Sequence, residues 1–204
     1  MKYIGVTGGV GCGKSEVLRF LEEEYDCEVL RSDELARELM LRGGSCFEPV
    51  LALFGEEVLG EDGEFDRQAI AQKVFADPLL LERLNQITHP AVCEEIERRV
   101  EAARKRGRKF FFLEAALLIE EKYDEICNEL WYVYAEESVR RKRLARSRGY
   151  SEEKISQVMA NQLSEDVFRK HCSFVVDNSG TMEHTREQIR SYMRSAFEKG
   201  IITE

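Results

Sequence analysis

Eight residues near the start of the chain leave little choice of fold. Gly8-Gly9-Val10-Gly11-Cys12-Gly13-Lys14-Ser15 fits the pattern G-x-x-x-x-G-K-[ST] in full. Glycines at this spacing let the backbone turn tightly, so that successive N–H groups point inward at phosphate oxygens. A helix opening near Ser15 adds the positive end of its dipole. Lys14 sets an ammonium against the β- and γ-phosphates, and the Ser15 hydroxyl suits Mg²⁺. The surroundings agree: an apolar run, Tyr3–Thr7, precedes the loop, and Val17, Leu18, Phe20 and Leu21 follow at helical spacing. The expected ligand is ATP with Mg²⁺, held by Gly8, Gly9, Gly11, Cys12, Gly13, Lys14, Ser15 and the following Glu16.

A strand–loop–helix of this kind belongs in a parallel sheet, and the rest of the chain supplies one. Cys27–Arg31, Lys109–Leu113, Glu129–Tyr134 and Ser173–Asp177 are short runs, most of them continuously hydrophobic and rich in β-branched or aromatic residues. Strands buried on both faces read this way. Helical segments lie between them, which predicts an α/β class with a doubly wound five-stranded parallel sheet. The spacing is uneven. Residues 32–108 separate the second and third strands, far more than one crossover needs, and they carry helix-start signals. Asp66 precedes a helix over Arg67–Phe75, Asp77-Pro78 one over Leu79–Thr88, and His89-Pro90 one over Ala91–Arg106. The expected organisation is one domain: a core of residues 1–33, 108–135 and 171–204, a helical acceptor-binding insertion of residues 34–107, and a lid of residues 136–170.

Composition narrows the partners. At 204 residues the chain suits one compact domain, and 43% hydrophobic with 34% charged residues allows both a core and solubility. No run reaches the roughly 18 apolar residues of a membrane span, and Met1–Thr7 lacks the form of a signal peptide, so the expectation is a cytoplasmic protein. The six cysteines include no C-x-x-C pair, which fits reduced thiols rather than zinc or disulfides. A net charge of −9 argues against nucleic acid. Yet residues 140–148, Arg-Arg-Lys-Arg-Leu-Ala-Arg-Ser-Arg, hold six bases and no acid. Val139, Leu144 and Ala145 make too thin an apolar stripe for a core helix. A basic lid closing over triphosphate explains this density better than solvation alone. Arg143 is the leading residue there, because a guanidinium fork matches phosphate oxygens.

The loop alone does not separate kinase from switch or motor. No N-K-x-D or T-K-x-D element appears to read guanine, and a motor needs more chain. A small-molecule or nucleotide kinase needs a base near the γ-phosphate. A right-handed crossover returns the C-terminal end of the Cys27–Arg31 strand to the sheet edge that carries the loop. Asp33 follows by two residues. It reads either as that base or, with Ser32, as the cap of a helix over Glu34–Leu41.

The run Arg31-Ser32-Asp33-Glu34-Leu35-Ala36-Arg37 resembles the D-A-D-x-[IL]-A-R element of dephospho-coenzyme A kinases. The likeness continues in Asp62-Gly63 with Asp66-Arg67, in Leu84-Asn85 with His89-Pro90, and in the run Leu113–Glu120. It reaches through Gln162 to Asp177-Asn178-Ser179-Gly180, and so covers essentially the whole chain. The family transfers the γ-phosphoryl of ATP to the ribose 3′-hydroxyl of dephospho-coenzyme A, the last step of coenzyme A synthesis. The resemblance implies a 2-3-1-4-5 strand order, Asp33 as the base, and a monomer or weak homo-oligomer. Within enzymes the rival is another nucleoside-monophosphate-type kinase; outside them it is a nucleotide-binding regulator with no acceptor.

Three positions depart from the family pattern. Arg31 stands where an aspartate is usual, Ala116 where a proline precedes the Leu-Leu pair, and Ser147 where a second lid arginine is usual, so that Arg146 or Arg148 must substitute. Glu114 reads as a substrate or metal-water contact or as a helix-start acid, His89 as a substrate-side or a structural residue, and Arg37 as a cleft or a surface residue. Cys12 reads as a spacer or as a thiol whose thiolate is favoured by Lys14 and the helix start. The second reading makes it the most readily alkylated of the six cysteines.

Overall fold

The computed structural model describes residues 1–120 and 123–198. The order of elements is β1 (Lys2–Thr7), α1 (Lys14–Glu24), β2 (Cys27–Arg31), α2 (Ser32–Leu39), α3 (Phe47–Phe54), α4 (Arg67–Ala76), α5 (Pro78–Lys105), β3 (Phe110–Glu114), β4 (Glu129–Tyr134), α6 (Glu137–Arg148), α7 (Glu152–Ala160), α8 (Glu165–His171), β5 (Phe174–Asp177) and α9 (Met182–Glu198). The chain divides into two compact units, one of Met1–Leu30 with the chain from Ala103 onward, the other of Arg31–Ala102.

In the first unit the strands lie in the order β2-β3-β1-β4-β5. Parallel register joins Lys2 to Phe110 and Val6 to Glu114, Ile4 to Glu129 and Thr7 to Tyr132, and Trp131 to Phe174 and Tyr134 to Asp177. Parallel pairing brings the C-terminal ends of four strands, at Thr7, Glu114, Tyr134 and Asp177, to one edge of the sheet. Everything that follows those ends is collected there.

One face of the sheet carries Ile4, Val6, Phe110, Phe112, Trp131, Val133 and Val176. It packs on Val17, Leu18, Phe20 and Leu21 of α1 and on Ile189, Met193 and Ala196 of α9. The alternate residues face the other way, where Tyr132 stacks on Phe168 of α8 at 4.7 Å between centroids. Both faces are covered, which is why these strands read as continuous apolar runs rather than as alternating ones. At the opposite, N-terminal end of the sheet, Lys2 lies 2.7 Å from the Glu129 carboxylate and donates to Tyr192 Oη at 2.7 Å. The indole N–H of Trp131 donates to Glu129 at 2.8 Å, so this half-buried carboxylate ties β1, β4 and α9 together.

Strand β5 borders the sheet, and a side chain guards it. Gln188 of α9 donates from Nε2 to the Asp177 carbonyl at 2.8 Å and accepts from the Asp177 N–H at 2.9 Å.

The second unit has a core of its own, Cys46, Val50, Phe54, Val58 and Ile70, with Phe65, Leu80, Leu84 and Ile87 packed around it. Local signals explain its motifs. Gly63 sits at a φ of 76° in a tight turn where Asp62 Oδ1 accepts from the Glu64 N–H at 3.0 Å. Asp66 caps α4 by accepting from the N–H groups of Gln68 and Ala69. One expectation fails. The helices over 79–88 and 91–106 are a single helix of 28 residues with Pro90 inside it. Pro90 removes the N–H that would bond to the Gln86 carbonyl and its ring crowds that carbonyl, yet its fixed φ suits a helix and the chain continues across it. His89 is therefore a mid-helix residue rather than a helix-start residue. Helix α2 also begins earlier than expected, at Ser32, with Arg31 at the N-cap and no side-chain cap bond. Asp33 lies inside the first turn and does not cap the helix.

Candidate active site

The loop between Thr7 and Lys14 turns on glycines. Gly13 has a φ of 93°, and a Cβ there would stand 2.3 Å from Asn178 Nδ2. Gly8 has a φ of 150°, and a Cβ there would meet the Val133 carbonyl at 2.4 Å. Both a rare backbone conformation and a close approach demand glycine at these positions. Lys14 and Ser15 open α1, so their N–H groups have no intrahelical acceptor. The N–H groups of Gly11 and Gly13 donate to no backbone carbonyl among the described residues. Four N–H donors of the loop and the helix start are thus left without a backbone acceptor. Lys14 folds back over the loop, donating to the Gly8 carbonyl at 2.8 Å and lying 3.6 Å from Glu114 Oε1 at the end of β3. The Ser15 side chain is exposed and makes no hydrogen bond among the described residues, a free oxygen beside the cradle that fits a magnesium ligand. Glu16 points away, to Arg19, and its N–H is taken by the Gly13 carbonyl at 3.1 Å.

The back of the loop is fastened to the sheet edge. Arg143 of α6 donates to the Cys12 carbonyl at 3.1 Å and to the Asn178 carbonyl at 2.8 Å. Asn178 Nδ2 donates to the same Cys12 carbonyl at 2.8 Å, while its Oδ1 accepts from the buried Thr185 hydroxyl at 2.9 Å. Arg140, one turn before Arg143, donates to the Val10 carbonyl at 2.9 Å and to Gln162 Oε1 at 2.6 Å. Gln162 Oε1 in turn accepts from the Val10 N–H at 3.1 Å.

Among the sequence-derived residues, the structure brings Gly8, Gly9, Gly11, Cys12, Gly13, Lys14, Ser15, Glu114 and Arg143 together. It leaves Arg146 and Arg148 outside: both are exposed, and Arg148 lies over the Tyr150 ring at 5.9 Å. The α6 residues that meet the loop are Arg140, Arg143 and Leu144, while Ser147 is exposed and donates to the Arg143 carbonyl at 2.7 Å. Asp33, Arg37 and His89 lie in the second unit. Asp33 and Arg37 are exposed on one face of α2, four residues apart, and neither side chain makes a hydrogen bond or ion pair among the described residues. His89 is half-buried in α5.

Of the two readings of Cys12, burial favours the spacer. Its side chain is 1% exposed and packs into the sheet core, with Sγ 3.0 Å from where a Gly8 Cβ would lie. Burial pushes the thiol up, outweighing the opposing pull of Lys14 and Arg140.

Arg140 and Gln162 are loop contacts, and Thr185 a support of Asn178, that the sequence reading did not place. Arg140 was legible in principle, since it lies three residues before Arg143 and so shares its helical face. Nothing local marks Gln162 or Thr185, because their contacts span 152 residues to Val10 and seven to Asn178.

Comparison with known proteins agrees with this architecture. A family model described as dephospho-CoA kinase matches residues 2–184. A dephospho-CoA kinase of Symbiobacterium thermophilum is 36% identical over 196 residues, covering 96% of this chain and 82% of that one. One of Geobacter metallireducens is 36% identical over 199 residues and 98% of each chain. A Thermus thermophilus crystal structure superposes with a TM-score of 0.80 at 29% identity, over 96% of this chain and 98% of that one. By its phosphate loop, its sheet order and these matches along its length, the chain belongs to the dephospho-CoA kinase family.

Proposed function

We propose that the protein transfers the γ-phosphoryl group of ATP to the ribose 3′-hydroxyl of dephospho-coenzyme A, completing coenzyme A. The observation that carries this reading is the glycine loop itself, with four N–H donors that have no backbone acceptor and Lys14 folded back onto it, in a chain that belongs to this kinase family. In the transfer, a bond forms between the acceptor oxygen and the γ-phosphorus, and the bond to the β,γ-bridging oxygen breaks. The protein's work is alignment and charge, since little covalent chemistry is asked of it.

The N–H groups of Gly11, Gly13, Lys14 and Ser15 hold the phosphates. Lys14 moves from the Gly8 carbonyl to the β- and γ-oxygens, where its ammonium balances charge gathering on the leaving group. Arg143, with no carboxylate partner among the described residues, adds positive potential from behind the loop. Asp33 takes the proton of the acceptor hydroxyl. In support, its carboxylate is exposed and committed to no cap or ion pair among the described residues. Arg37 on the same face, His89 and Glu114 are assigned to the acceptor. Bound with the nucleotide, Mg²⁺ screens the β- and γ-phosphates, and Ser15 is the residue that would hold it. No helix among the described residues is long and apolar enough to cross a membrane, and we place the enzyme in the cytoplasm.

The test is ATP consumption with dephospho-coenzyme A, AMP, UMP or no acceptor. Turnover with dephospho-coenzyme A alone is expected, with the product phosphorylated at the 3′ position. Preference for a nucleoside monophosphate, or slow hydrolysis indifferent to acceptor, would replace this reading with one of its rivals.

A further inference from the structure

Val10, at the crown of the loop, has both of its backbone groups in use. Its N–H donates to Gln162 Oε1 at 3.1 Å, and its carbonyl accepts from Arg140 Nε at 2.9 Å. Arg140 Nη2 and Gln162 Oε1 close the figure at 2.6 Å. Three residues from three parts of the chain, the loop, α6 and the segment after α7, thus form a ring of three hydrogen bonds. The loop is shaped around it: a Cβ on Gly9 would lie 2.4 Å from Arg140 Nη2, and one on Gly11 would lie 3.1 Å from the Arg140 carbonyl.

Two features separate this ring from ordinary surface trim. Its amide and carbonyl belong to a loop residue outside the four phosphate donors, so holding it costs the cradle no donor. Arg140 also keeps its charge uncompensated. Both of its partners are neutral, and no carboxylate pairs with it among the described residues. Arg141, its neighbour on the same helix, is paired with Glu137 at 2.8 Å and Glu152 at 3.0 Å. A guanidinium kept for packing alone gains from such a carboxylate. One held beside an anion site without one raises the site's potential.

We propose that Arg140 and Gln162 act together as the positioning pair of the nucleotide site. They fix the crown of the loop through Val10 so that the inward N–H groups are set before ATP arrives, and Arg140 supplies the cation that Ser147 does not. This rests on the reading of the loop as the ATP site. Preorganisation of donors acts on the affinity for nucleotide, whereas the residues assigned to the acceptor are Arg37, His89 and Glu114.

The experiment compares wild type, Arg140→Ala, Arg140→Lys, Gln162→Ala and the Arg140→Ala/Gln162→Ala pair. Each is read by the KM for ATP, the KM for dephospho-coenzyme A, and hydrogen exchange at the Val10 amide. Arg140→Ala is expected to raise the KM for ATP about 10- to 100-fold and to leave that for the acceptor within about twofold. Lysine cannot reach both oxygens with a fork and should restore less than half of the loss on a logarithmic scale. The double variant should lose little more than Arg140→Ala alone, and Gln162→Ala should expose the Val10 amide to exchange. Full recovery with lysine, additive losses in the pair, equal effects on both substrates, or an unchanged Val10 exchange rate would each overturn the proposal. If wild type itself fails to phosphorylate dephospho-coenzyme A while the exchange result stands, the functional reading falls and the ring does not. Exchange needs no activity, so an inactive variant is still informative.

Discussion

The loop bed and the start of α2 carry the two halves of the proposed chemistry and are built on opposite terms. The back of the loop is held by engaged polar groups. The Cys12 carbonyl takes two donors, both backbone groups of Val10 are tied, and Asn178 is itself held by Thr185. At the start of α2, the Asp33 and Arg37 side chains are exposed and make no hydrogen bond or ion pair among the described residues. The contrast follows from what each must do. Phosphate binding gains from donors fixed in advance, since each rotor frozen beforehand is one fewer to freeze on binding. A general base gains from a carboxylate with its lone pairs open, because a prior partner would have to be displaced first.

The deepest cut into the loop side is Lys14→Ala, which should reduce turnover by roughly 10⁴-fold or more while the melting profile stays close to wild type. Near-normal turnover in that variant would end the assignment of the loop as the reacting site. On the α2 side, Asp33→Asn should lower turnover by roughly 10²–10⁴ with ATP affinity unchanged, because the base takes no part in holding the nucleotide. A variant that melts earlier yet turns over normally per folded molecule would show instead that Asp33 serves the helix. Arg143→Ala comes next, with a loss of about tenfold or more in kcat/KM for ATP. That loss should depend less on salt than expected for an open surface charge, since the guanidinium is seated on two carbonyls. If Lys142→Ala, on the exposed face of α6, matched it, the effect would be diffuse charge and the seat would be irrelevant.

Two smaller effects sharpen the same contrast. Cys12 belongs to the locked side: its thiol is buried and pushed up, so brief iodoacetamide treatment should label it more slowly than the half-buried Cys93, with or without Mg-ATP. Rapid labelling of Cys12 that Mg-ATP blocks would mean that the loop opens far more readily than its bonds imply. Arg141→Ala removes paired charge on the outer side of α6. It should change kcat/KM by less than about twofold and stability by at most about 1 kcal/mol. A larger kinetic loss would erase the distinction between the two sides of that helix.

How much of this was legible in the sequence follows the range of the interactions involved. The phosphate loop and the five strands are local patterns. The glycines, Lys14, Ser15 and the strands Cys27–Arg31 and Glu129–Tyr134 lie where the pattern put them, and the other three strands agree to within a residue at one or both ends. Pro90 misled because a proline after a possible cap is the same local signal whether a helix starts there or merely passes through. Cys12 admits two readings for a different reason. The spacing of a loop gives the path of the backbone but not the depth at which a side chain is buried, and burial decided its thiol. Arg140 and Gln162 could not be paired before the fold placed α6 and the end of α7 on the loop. The resemblance to a family marked Gln162 but gave it no partner.

Gln188 has a meaning beyond α9. A border strand exposes backbone donors and acceptors that another chain's strand can copy, and proteins spend residues to prevent this. Here a side-chain amide presents to Asp177 the same acceptor and donor that a neighbouring peptide group would. The outward-facing end of β5 therefore already has the bonding of an interior strand, supplied by a group that cannot be extended by another of its kind. An intruding strand would have to evict Gln188 before gaining its first bond at that end. The sheet stops at five strands because its last one is given a counterfeit sixth, one residue long.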